Sequence, residues 1–287
     1  MLRAKLIEEN LSFSGWSIQA YDQIESTNLI IKDALRKGCA EGIVATALIQ
    51  GGGYGRQGRL WASPLGGLYF SFALCPFGRK TPDQKINIST ISLVVALSLR
   101  HAFQELGVYE TQIKWPNDVL INGAKACGIS LEGVTGGICV GVGVNVFPVH
   151  DQWRLSSAYR TAYVGPLLTR LAQQPEQEGM IESSTNVLSV FQEETLERII
   201  VAFLNIFKPL YDRWLEEGFS LFCDEYNACL FNVGDAITLE TIDSHTLLEG
   251  VVVGVDKEGR LLLKQSDDRI IPASSGEVHT FHKEKQK

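Results

Sequence analysis

No CxxC pair occurs among the six cysteines (Cys39, Cys75, Cys127, Cys139, Cys223 and Cys229), and the five histidines never form HExxH. A zinc site would have to be assembled from remote positions. Scattered thiols without a pairing pattern read instead as free side chains in a reducing compartment. There is no GxxxxGK[ST] segment, which excludes a P-loop ATPase. The leader MLRAKLIEENLSF places Glu8 and Glu9 where a signal peptide needs an apolar stretch. No apolar run approaches bilayer length, since Ile91 to Leu99 is short and broken by serines. A soluble, cytoplasmic chain with no membrane partner is the expectation. Positive charge is also scarce: 26 Lys plus Arg stand against 33 Asp plus Glu, a net charge of −7. A protein that coats nucleic acid needs a basic face, so any cationic site here is local.

What is present suffices for a folded core. The chain has 287 residues, 45% apolar and 21% charged, which excludes global disorder and leaves room for a large domain and a small one. Ser26-Thr27-Asn28 ahead of Leu29 to Leu35, with Gly38 beyond, reads as a hydroxyl-capped helix stopped by glycine. Gly42 to Ile49 predicts a buried strand, and Gly66 to Leu74 alternates as another. Apolar groups at Ile88, Ile91, Val95, Leu99, Ala102, Phe103 and Leu106 predict a buried helix. Val119-Leu120-Ile121, Asn122-Gly123 and Ile129 to Leu131 form a hairpin pattern. Ile138 to Val146 reads as a strand whose glycines let something approach the backbone.

From about His150 to Asn186 the pattern dissolves into loops. Ile199 to Trp214 is a long amphipathic helix, expected to kink near Pro209. Past Asn232 come four short strands, Ala236–Thr241, Leu248–Val255, Leu261–Gln265 and Arg269–Pro272, with turns at 242–244 and 256–259. That spacing predicts a small antiparallel barrel. The expected fold class is α+β: a mixed, largely antiparallel sheet with helices on one side in residues 1–232, then a small C-terminal β-barrel in residues 233–287.

Three segments carry chemistry. Gln50 to Trp61 holds five glycines and two arginines, Arg56 and Arg59. Backbone N–H groups and guanidinium forks both complement phosphate oxygens, and Trp61 offers a flat face to a ring. Gly53 to Gly58 formally matches GxGxxG, but a strand follows instead of the helix that a dinucleotide fold needs. Lys114-Trp115-Pro116-Asn117-Asp118 is, alone, an ordinary Asx-type turn; beside an anion loop its carboxylate suits a magnesium ion on a triphosphate. Lys125, between small residues, reads alone as a hairpin lysine, or as a positive charge for a developing acyl phosphate. Cys127 has no flanking histidine and reads as core.

In order, the EST-N at Glu25 to Asn28, the Gly/Arg loop with Trp61-x-Ser63-Pro64, KWPND at Lys114 to Asp118, K-x-x-GI at Lys125 to Ile129 and GVGVNV at Gly141 to Val146 resemble the biotin protein ligases. The resemblance covers residues 20 to 150 strongly and the C-terminal strands weakly. It implies a two-step reaction, in which biotin and ATP give biotinyl-5′-AMP and a lysine of the biotin carboxyl carrier domain of acetyl-CoA carboxylase then takes the biotinyl group. It places Ser26, Thr27, Asn28, Gln50, Tyr54, Gly55, Arg56 and Lys125 around biotin. Arg56, Arg59, Trp61, Lys114, Asn117 and Asn145 fall around the nucleotide. Lys125, Arg56 and Asp118 form the catalytic set, with Asp118 toward Mg²⁺. Dimerisation by sheet extension is compatible with it. Lipoate–protein ligase, which shares the fold and the acyl-adenylate logic, is the alternative enzyme; a non-catalytic biotin- or nucleotide-binding module and a small-barrel adaptor are the non-enzymatic ones. Only about 20 residues precede the first motif, too few for a winged helix-turn-helix, so no DNA binding is expected.

Tyr54 and Gln57 stand at positions that are usually Arg in this family. Where such a guanidinium would be buried, its absence removes a charged hydrogen bond of about 1.5–3 kcal/mol, whereas bonds made by the backbone N–H survive. The chain is therefore expected to release its adenylate faster than an arginine-loop relative. Equal off-rates in a trap-chase measurement would refute this.

Overall fold

Between Ser17 and Val144, β-branched and aromatic runs build one seven-stranded sheet. The computed structural model describes residues 1–76, 87–148, 160–171, 188–241 and 245–280. The strands are β1 (Ser17–Ile24), β2 (Ile43–Gln50), β3 (Leu68–Leu74), β4 (Thr111–Lys114), β5 (Asp118–Ile121), β6 (Ala124–Val134) and β7 (Gly137–Val144), in the order β1-β2-β3-β7-β6-β5-β4. The helices are α1 (Ala4–Glu9), α2 (Thr27–Arg36), α3 (Ile91–Glu105), α4 (Gly165–Leu171), α5 (Val190–Glu217) and α6 (Cys223–Ala228). β1 and β2 run parallel because α2 crosses between them; the remaining pairs are antiparallel. Asn122 and Gly123, with φ of 49° and 72°, make the tight turn of the expected hairpin.

Alternation along the strands separates two cores. Val44, Phe70, Phe72, Val140, Val142 and Ile129 join the large core that includes residues of α3 and α5. Their neighbours Ala45, Ala73 and Cys139 pack with Ile31 and Leu35 of α2. Successive residues of a strand point to opposite faces, so helices cover both faces, not one. For the same reason β3, expected as an alternating strand, is buried at every position. From the sheet, rings continue along α5 through Phe203, Phe207, Tyr211 and Trp214, with contacting centroids 5.1–5.9 Å apart. A capping box at Ser189 and Gln192 starts α5, and the helix runs through Pro209 as one element.

The C-terminal strands correct the expected architecture. β8 (Ala236–Glu240), β9 (Thr246–Val255), β10 (Leu261–Lys264), β11 (Ile270–Ala273) and β12 (Glu277–Thr280) form a sheet in the order β11-β10-β9-β8-β12. Among the described residues it is open, not a barrel. Closure needs a ladder between the end strands, but after Gly276 the chain lays β12, a strand missing from the expected set, along β8. The expected turn at 242–244 lies outside the described residues. In the stretch expected to be loops, residues 149–159 and 172–187 also lie outside them, but α4 is a helix there and Thr161 bridges to Lys125.

Phe203 is fully buried against three other rings. Phe203→Ala is expected to cost about 3–5 kcal/mol of stability, read from the urea midpoint; a loss under about 1 kcal/mol would show that the ring ladder is not core.

Candidate active site

The register of four strands lays out the floor of a cleft. Ser71 of β3 pairs with Gly141 of β7, which pairs with Ser130 of β6. One step along, Tyr69, Gly143, Gly128 and Asp118 of β5 form the next row. Glycine in the middle of each row removes the side chain that would fill the cleft. At Gly143 an added Cβ would lie 2.5 Å from the Trp61 ring, and at Gly128 it would lie 2.8 Å from that ring. At Gly141 it would collide with the Asn28 amide and lie 2.6 Å from Ser130 Oγ. The expected close approach to β7 is real, and the approaching groups are the protein's own.

At the start of α2, Ser26 holds the N-cap position but makes no side-chain cap bond. Gln50 takes that part: its Oε1 accepts from the Thr27 N–H at 2.8 Å and the Thr27 hydroxyl at 3.1 Å, while its Nε2 donates to Ser63 at 2.9 Å. Asn28 Oδ1 accepts from Ser71 at 2.6 Å, and its Nδ2 donates to Ser130 (3.3 Å) and Glu132 (3.2 Å). A buried amide and three hydroxyls thus meet at one place, in a network stiff enough to orient a polar ring.

The glycine-rich loop is more self-contained than expected. The N–H groups of Gly51, Gly52 and Gly55 donate to Ile24, Glu25 and Arg59 carbonyls, so they are satisfied inside the fold and not by an anion. Side chains supply the charge. Arg56 Nη1 donates to Asn117 Oδ1 at 3.0 Å, and Arg59 pairs with Glu277 of β12. Lys125 Nζ lies 2.8 Å from Asp118 and 5.2 Å from the Trp61 ring centroid. Asn145 fixes that strand by donating to the Lys125 carbonyl at 3.1 Å, and the 160–162 segment brackets Lys125 from the other side. Trp61 Nε1 is buried without an acceptor among the described residues. Burial pushes the Arg56 guanidinium down from its usual value, opposed by Glu277 and Asp118. Burial also lowers Lys114 to about 8, partly offset by Asp118. Cys127 is core, its thiol pushed up by burial.

All of the residues singled out from sequence line one cavity of about 980 Å³: Ser26, Thr27, Asn28, Gln50, Tyr54, Gly55, Arg56, Arg59, Trp61, Lys114, Asn117, Asp118, Lys125 and Asn145. Sequence reasoning missed Tyr69, Ser130, Tyr163 and Glu277, which share the lining, together with Ser71 beneath Asn28 and Lys32 and Glu132 behind it. Three of these were within reach: Lys32 stands one helical turn after Asn28, and Ser130 and Glu132 follow Gly128 with strand period.

Residues 20–146 match the Biotin/lipoate A/B protein ligase family and residues 234–279 the Biotin protein ligase C terminal domain. The first covers both ligase types; the second names biotin alone. A biotin–[acetyl-CoA-carboxylase] ligase of Paracoccus denitrificans is 30% identical over 240 residues, 77% of this chain and 84% of that protein. The chain belongs to the biotin protein ligase family. The bifunctional ligase/repressor BirA of Escherichia coli is 27% identical over 291 residues, 99% of this ligase chain and 80% of that protein. In fold, the ligase is similar to the Aquifex aeolicus biotin protein ligase solved with biotin and ATP, at TM-score 0.65 and 23% identity, over 93% of this chain and 99% of that one.

Lys114 is a cation below its lowered pKa of about 8 and neutral above it. Affinity for pyrophosphate is therefore expected to fall as pH rises from about 7 to about 9. Lys114→Met should flatten that dependence; an unchanged slope in isothermal titration would remove Lys114 from the anion site.

Proposed function

We propose that this ligase joins biotin to AMP in the cavity and then passes the biotinyl group to a lysine of a biotin carboxyl carrier domain. One observation carries the reading: adjacent rows of a single cleft floor hold a buried amide-and-hydroxyl cluster and a lysine–carboxylate pair. The cluster of Thr27, Asn28, Ser71 and Ser130 suits a neutral ureido ring, whose N–H and C=O groups need partners once buried. The cations Arg56 and Lys125 suit the carboxylate of the acid being activated.

In the first step a biotin carboxylate oxygen attacks the α-phosphorus of ATP. A C–O–P anhydride forms, the bond to the β-phosphate oxygen breaks, and pyrophosphate leaves. Negative charge spreads over the phosphoryl oxygens, and Lys125 and Arg56 stabilise it from fixed positions. Asp118 and Trp61 keep the Lys125 ammonium in place, and Asn117 holds Arg56. In the second step a neutral carrier lysine attacks the acyl carbon, AMP departs and the amine proton is lost. In this reading Lys114, Arg59 and Asn145, which line the same cavity, grip the nucleotide, and Trp61 offers a face to its base.

Among the described residues no cluster of three or more His, Cys, Asp or Glu side chains gathers to hold a metal. Asp118 is already paired with Lys125. This donor set fits a magnesium ion carried on the triphosphate, with Asp118 as its protein carboxylate. Bound there, magnesium would neutralise polyphosphate charge.

Lys125→Ala is expected to cut biotin-dependent pyrophosphate release by about 100-fold or more, and an undiminished rate would exclude Lys125 from the site. Biotin, but not lipoate, should raise the unfolding temperature of the wild-type chain; stabilisation by lipoate alone would move the ligase to the other branch of its family.

A further inference from the structure

The loop above the cavity is held at Tyr54 by residues outside the lining. Tyr54 Oη accepts a hydrogen bond from Lys32 Nζ at 2.6 Å, and the same ammonium lies 2.7 Å from Glu132 Oε2. The other Glu132 oxygen accepts from Asn28 at 3.2 Å. Helix α2, strand β6 and the loop are therefore joined at one point. The Lys32 side chain is only 13% exposed, so its charge works in a partly desolvated setting where a hydrogen bond to an ion is strong.

The loop's other ties to the body differ in kind. Arg56 to Asn117 and Arg59 to Glu277 use the guanidinium groups that an arriving carboxylate or phosphate would compete for. Gly51 and Gly52 bond at the loop's base, and Tyr54–Leu60 and Gly55–Arg59 bond within the loop. The Tyr54 contact alone among these side-chain ties involves no group that a bound anion would take. It can hold the loop down while ligands occupy the arginines.

We infer that Lys32, Tyr54 and Glu132 form a clasp that positions the glycine-rich loop over the cavity and sets how long the acyl-adenylate is retained between the two steps. The inference rests on the two-step reading above. Tyr54 touches the cavity, whereas Lys32 and Glu132 act through it as positioning residues. The tyrosine thus does by tethering part of what a loop cation does by charge.

The test uses the full chain in two measurements. Amide hydrogen exchange of residues 51–60 in the ligand-free protein reads the clasp without reference to biotin. Release of preformed biotinyl-adenylate, chased with excess biotin and compared with its single-turnover rate of formation, reads the consequence. Tyr54→Phe and Lys32→Met are expected to speed both loop exchange and adenylate release by about tenfold, with Lys32→Arg restoring both toward wild type. A general folding defect would slow formation in step with faster release; the clasp predicts a larger change in release. Unchanged loop exchange in both variants, or faster exchange with unaltered release, would overturn the inference. A wild-type chain that makes no adenylate would overturn the two-step reading and the role in retention with it, while loop exchange would still report whether the clasp exists.

Discussion

Trp61 rests on Gly128 and Gly143, and Asn28 reaches across Gly141; these contacts exist because glycines of neighbouring strands fall in register. A side chain at any of them would refill the cleft floor. Glycine in a strand weakens it by forfeiting packing and by enlarging the entropy lost on folding. The opposite face compensates. There Phe70 and Phe72 pack on the α5 rings and Val140 and Val142 are buried in the same core, so the strands that are bare toward the cleft are covered behind it. The site and the core are two faces of the same residues' alternation.

Charge is gathered by the same logic. The chain carries a net −7, yet Arg56, Arg59, Lys114 and Lys125 converge on one cavity. They are tolerated there because the fold supplies local partners: Asp118 for Lys125, Glu277 for Arg59 and the Asn117 amide for Arg56. Cations already held by partners need little reorganisation when an anion arrives, which is what makes preorganised electrostatic stabilisation effective. The lowered pKa of Lys114 comes first from burial, which Asp118 opposes, with a smaller push in the same direction from the neighbouring Lys125.

Much of this was legible in the sequence where the signal is local. The α2 start at Ser26, the Asn122-Gly123 turn, the buried run of β2 and the glycine-marked β7 each depend on a few adjacent residues, and each stands where expected. All fourteen residues selected for the site line the same cavity, because the segments carrying them have compositions that a plain turn or linker does not require. Failures cluster where partners are distant. Four short strands with regular turns describe a barrel and an open sheet equally well. Alternation in β3 marks two faces without saying that α2 covers the second. Nothing near Gln50 announces that its amide, and not the Ser26 hydroxyl, satisfies the first N–H of α2.

The amino-acid order alone thus determined many of the elements, the chemistry-bearing segments and their ligase-like succession, since propensity, capping and turn formation act over a handful of residues. Tertiary structure decided which faces are covered, whether the last sheet closes, and that Lys32 and Glu132 stand behind Tyr54. Those outcomes depend on strand register and on pairings between residues as far apart in sequence as Lys32 and Glu132, which no local pattern encodes.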